Sequence, residues 1–131
     1  MNDFYYRRLD AYNLSKQYTI QVYQLLRKFP EYERFALCDQ LRRAVISIPS
    51  NIAEGTGRMA IKERIHFLDI AYGSLNESMC QLEITKDLGY ITLEDFNSIE
   101  NTASRVSMTI IGLKKALQDK LNKQNSTNQN E

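Results

Sequence analysis

The side chains best placed to do chemistry lie between Gln40 and Gly55. On a helical wheel, Arg43, Ser47, Ser50 and Glu54 fall within about 60° of one another, opposite a continuous apolar side. Small hydroxyls between a cation and an anion, with Asn51 beside them, suit a polar groove for a ligand or phosphate. The same residues suit an oligomer seam, or an intrachain hydrogen-bond network around the backbone disturbed by Pro49. A second group is basic: Arg42, Arg43, Arg58, Lys62 and Arg64, near the turn that follows. Phosphate recognition favours Arg because its planar fork meets two oxygens at once. The plainer reading is solvated charge, partly neutralised by Glu54 and Glu63. Lys114, Lys115, Lys120 and Lys123 form a further basic group, explained by complementing a helix dipole near its C-terminal end.

Other reactive types are scattered. His66 has Glu63 three residues before it and Asp69 three after, neighbours that could orient a general base. No nucleophile or second ligand shares its face, so an exposed helical histidine is the expectation. Cys38 and Cys80 have no metal-ligand spacing and read as reduced, packed thiols. Five of the eight tyrosines lie in the first 23 residues. They could stack bases, but their helical spacing beside Leu and Val suits packing with a wet edge. No catalytic constellation emerges, and we expect no enzyme activity, metal, cofactor or small-molecule substrate.

The elements that carry these residues are four helices. The first is expected over about Leu9–Lys28, with Leu14, Tyr18, Val22, Leu25 and Phe29 in one stripe and Pro30 as its stop. The second begins near Tyr32 and buries Leu37, Leu41, Ala44, Val45, Ile48 and Ile52. Pro49 should kink it or mark a tightened turn, and Gly55 and Gly57 should release the chain. The third spans about Ala60–Leu88. Its main stripe is Ile61, Ile65, Leu68, Tyr72, Leu75, Met79 and Leu82, and Phe67, Ile70 and Ile84 lie outside it. Apolar coverage this broad implies more than one neighbour. Gly89 stops it, and Thr92 with Asp95 resembles a capping box. In the fourth, Phe96, Ile99, Ala103, Val106, Ile110, Leu113 and Leu117 alternate spacings of three and four, a heptad seam.

There is no strand pattern and no internal repeat. Four amphipathic helices with short connections give an all-α, up-down-up-down antiparallel four-helix bundle over residues 1–121. Residues 122–131 are too polar to pack and read as a disordered tail. At 131 residues, 43% hydrophobic and 25% charged, the chain fits one globular domain that needs no disulfide or metal. A net charge of +1 argues against a general electrostatic nucleic-acid binder, though not against a local patch. No apolar run reaches the roughly 20 residues of a membrane span, and the first residues lack a signal-peptide core. A cytoplasmic protein is expected.

Three segments carry a resemblance: Phe29-Pro-Glu-Tyr-Glu-Arg-Phe-Ala-Leu37 with Gln40-Leu-Arg-Arg-Ala44; Ser47-Ile-Pro-Ser-Asn-Ile-Ala-Glu-Gly55; and Phe67-Leu-Asp-Ile-Ala-Tyr-Gly-Ser-Leu75. They occur in order within a likeness over about residues 4–115. The chain resembles the 23S rRNA intervening-sequence family of bacterial four-helix bundles, sometimes named as ribosomal proteins. More distantly it is similar to accessory proteins of diversity-generating retroelements, which bind nucleic acid and a reverse transcriptase. The resemblance implies a homo-oligomer, a ring of five, and no enzyme. Two functions follow: an RNA-associated oligomer using Arg42, Arg43, Arg58, Lys62 and Arg64, or a scaffold that assembles with itself and docks another protein. A repeated patch on a ring would multiply weak contacts in either case.

Overall fold

A computed structural model of the chain describes residues 3–130. Residues 1, 2 and 131, at the edges of the expected domain and tail, lie outside the described residues. A 3-10 turn at Tyr5–Arg8 leads into α1, Asp10–Leu26, followed by α2, Leu37–Thr56; α3, Ile61–Asp87; and α4, Leu93–Asn130. Each helix packs on the next and α4 returns to α1, as the up-down-up-down bundle requires. The core is continuous from Ala11 to Leu117.

Each reversal has a local cause. After Leu26 the hydrogen bonds tighten to i+3, and Pro30 follows in extended geometry. The next helix starts at Leu37, where its apolar stripe begins, and not near Tyr32 as expected. A 3-10 turn fills Glu31–Glu33, and Ala36 leaves the helical region (φ −114°, ψ −99°) before α2 begins. At the end of α3, Gly89 takes φ +80°. There Tyr90 N–H reaches the Thr85 carbonyl (3.0 Å) and Gly89 N–H the Lys86 carbonyl (3.0 Å), a Schellman closure. The capping box then starts α4: Asp95 N–H donates to Thr92 Oγ1 (3.0 Å), and Thr92 N–H to Asp95 Oδ2 (3.2 Å).

Two glycines expected to act alike behave differently. Gly57 ends α2, but Gly55 lies inside it and is buried. A Cβ on Gly55 would sit 2.9 Å from the Cβ of Phe67 on α3. The residue permits close contact between helices instead of releasing the chain. Helix α2 continues through Pro49. Proline has no N–H for the carbonyl four residues back, that of Val45. The hydroxyl of Thr19 on α1 supplies the missing donor at 3.0 Å, in a buried position.

The heptad seam of α4 is buried as predicted at Val106 and Ile110, and only Leu113 among its seven residues is half-exposed. On α3 the buried line is Leu68, Ala71, Leu75, Ser78, Leu82 and Thr85, more polar than its apolar pattern suggests. Ile70 and Ile84 are exposed. Helix continues from Leu121 to Asn130, where a disordered tail was expected. No glycine or proline stops it, and extending a formed helix is far less costly than nucleating one. Residues 122–127 are all exposed.

Candidate functional site

The polar face of α2 divides. Ser47 is half-buried against α3, and its Oγ accepts from Ser74 Oγ (2.9 Å) and from Asn51 Nδ2 (2.8 Å). Asn51 also donates to the Ser47 carbonyl (2.7 Å). These three form a polar link between α2 and α3 within one chain. Ser50 and Glu54 remain exposed, and the Glu54 carboxylate is engaged by Arg58 at 2.8 Å.

The five basic candidates do not form one patch. Arg43 and Arg58 stand roughly 22 Å apart along the α2 axis, at 1.5 Å per residue. Arg42 and Arg43 belong to the end where α1 passes into α2. There Arg42 donates to the Arg34 carbonyl (3.0 Å), and Arg43, its side chain 82% exposed, faces Asp39 at 3.4 Å. Arg58, Lys62 and Arg64 lie together at the opposite end, in the turn from α2 to α3. Arg58 stacks over the Phe67 ring, 4.8 Å from its centroid, and Arg64 Nε donates to the Arg58 carbonyl at 2.6 Å. Lys62 is exposed.

Antiparallel folding adds cations that residue spacing along the chain does not gather. The last core turns of α4 bring Lys114, Lys115, Lys120 and Lys123 to the Arg58–Arg64 end, and the turn before α1 brings Arg7 and Arg8. Segments 3–10, 54–69 and 114–123 together hold nine of the seventeen Lys and Arg, but six of the sixteen Asp and Glu. This pole is therefore net positive, and the rest of the molecule net negative. Treating the α4 lysines as dipole partners alone missed their share in it. The connection lengths, which make α2 and α4 end together, held the signal.

His66 is exposed and edge-on to Phe67, while Asp69 pairs with Lys114 at 2.6 Å. Cys38 is buried, and Cys80 is exposed, not packed as expected; both are free thiols. Burial pushes the Cys38 thiol above its ordinary value, against a smaller opposing pull from Arg42. Among the described residues no three His, Cys, Asp or Glu converge to hold a metal ion. None of the described helices is long and apolar enough to cross a membrane.

The fold places the chain in the class of all-α, up-down-up-down four-helix bundles, here with a net positive pole. The chain belongs to the 23S rRNA-intervening sequence protein family, whose model matches residues 7–112. It is similar to a solved crystal structure from Bacteroides thetaiotaomicron, described as a protein with unknown function from the S23 ribosomal protein family. The two share 27% identity and superpose with a TM-score of 0.72, over 80% of this chain and 98% of the other. None of the curated proteins matches. The retroelement likeness gains no support from these comparisons.

Proposed function

We propose that this chain is a non-enzymatic, cytoplasmic homo-oligomer, a ring of five, that associates with RNA through its basic pole. The observation that carries the reading is the excess of cations where α2, α3 and α4 meet, centred on Arg58, Lys62 and Arg64. In a ring these poles point the same way and their fields add, so a near-neutral protomer presents a cationic face. Recognition is then of phosphate and shape, since no helix offers an evident set of base-reading side chains. Arg42 and Arg43, at the far end, are secondary in this reading. Exposed Ile70 and Ile84 on α3 and Met108 and Ile111 on α4 supply apolar surface for self-association. The same surface favours the second reading, a scaffold that docks another protein without binding nucleic acid.

Light scattering should report several times 15.3 kDa. Structured RNA is then titrated at two salt concentrations, with affinity falling steeply as counterions are released. A variant with Arg58→Ala, Lys62→Ala and Arg64→Ala should bind weakly, whereas Arg42→Ala with Arg43→Ala should bind nearly as the wild type. If the wild type stays unbound at low salt, or the first variant keeps its oligomeric state and full affinity, the scaffold reading replaces this one.

A further inference from the structure

A cavity of about 430 Å³ opens at the basic pole, between the turn before α1, the end of α2, the start of α3 and the last core turns of α4. Its volume falls in the range of small-molecule sites. Ile52, Leu68 and Leu117 line it from the core, and Leu9 and Leu113 are half-buried beside them. The polar lining is Tyr5, Thr56, Arg64 and Lys120, with no acidic residue. Among the described residues the Arg64 side chain makes one hydrogen bond, from its Nε to the Arg58 carbonyl, leaving the terminal nitrogens for a ligand. Lys120 has no ion-pair partner among the described residues.

We propose that this cavity binds an amphiphilic monocarboxylate, an unbranched aliphatic acid of medium length. Its tail lies against the half-buried Leu9 and Leu113, over the buried floor of Ile52, Leu68 and Leu117, and its carboxylate meets Arg64 and Lys120. Two cations without an acid call for an anion, and charge-assisted bonds from Arg to a carboxylate are strong and directional. A wholly polar anion would leave the accessible surface of Leu9 and Leu113 wet, whereas an aliphatic tail covers it. The site needs only the cavity and its two cations, so it stands whether or not the pole binds RNA.

The probe is decanoate, added below its micelle concentration to the full chain without nucleic acid and followed by titration calorimetry. Saturable binding of one decanoate per chain is expected, with decanol weaker by about tenfold or more, the value of a charge-assisted bond. Lys120→Gln, at an exposed position, should lose about tenfold with an unchanged thermal midpoint. Ala116→Trp, which fills the cavity from its rim, should abolish binding, and Arg64→Lys should retain part of it. Absence of saturable decanoate binding overturns the proposal. So does equal affinity for decanol, or wild-type affinity in both Lys120→Gln and Ala116→Trp.

Discussion

Thr19 is buried, and its single hydroxyl proton lies within reach of two carbonyls, Ser15 of its own helix (2.8 Å) and Val45 on α2 (3.0 Å). The Ser15 carbonyl already has the helical N–H of Thr19, so the hydroxyl proton is needed at Val45, which Pro49 leaves without a donor. Thr19→Val should cost about 1–3 kcal/mol, the penalty for an unsatisfied buried carbonyl. In a Pro49→Ala background the helix serves Val45 itself, and the cost of Thr19→Val should shrink. Equal costs in both backgrounds, measured by urea denaturation, would defeat this account. Tyr18 offers a second test. Its hydroxyl donates to Ser78 Oγ (2.7 Å), because the Ser78 proton goes to the Leu75 carbonyl (2.8 Å). Burial pushes the Tyr18 phenol well above its ordinary value. A raised phenol pKa contributes stability that is full below the unfolded value, about pH 10, and is lost as pH rises toward the folded value. Losing the Ser78 hydrogen bond should make Tyr18→Phe less stable than wild type near pH 8, and the gap should narrow above about pH 10, where the unfolded phenol ionises and the buried one does not. Tyr90, pushed up to about 12 chiefly by its hydrogen bond with Tyr32, is present in both proteins and cancels. None of these partnerships was legible in the sequence. Tyr18 and Ser78 are 60 residues apart, and a hydroxyl on a helix looks the same whether it meets water or another helix.

At the level of elements, periodicity carried most of the information. The stripes of α2 and α4 predicted their buried faces, that of α1 did so at Tyr18 and Val22 but not at Ser15 and Thr19, and the glycine and capping signals around residue 89 located the last reversal. Errors arose where packing and local geometry, not hydrophobicity, decide. Ser78 and Thr85 are fully buried because close helices need small side chains, and a hydrophobic pattern discounts both. Gly55 belongs to the same class. Gly55→Ala should destabilise the protein by about 1 kcal/mol or more, since overpacking against Phe67 exceeds the helix-propensity gain. Gly73→Ala, with nothing within 4 Å of the added carbon, should instead stabilise it by about 0.5–1 kcal/mol. Thermal melts of the two variants moving in the same direction would refute the assignment of Gly55 as a spacer. The candidate site was half legible for a related reason. Arg58, Lys62 and Arg64 are neighbours in sequence, whereas Arg42 and Arg43 seemed near them only until α2 was given its length.

For the whole molecule, the bundle should be complete at Leu121. Truncation after that residue should leave the denaturation midpoint unchanged within about 0.5 kcal/mol, as for surface changes that touch no packed feature. A marked loss would mean that the last turns of α4 support the fold. The even number of antiparallel helices has a practical consequence. The turn before α1 and the extension of α4 both leave the molecule at the cationic pole, and the extension projects roughly 13 Å beyond Leu121 at 1.5 Å per residue. A tag, fluorophore or surface anchor attached at either end of the chain would shade the surface whose binding is under test. Labels belong at the far pole, in the loop of Gly89 between α3 and α4, where a reporter can ride without touching Arg58, Lys62 or Arg64.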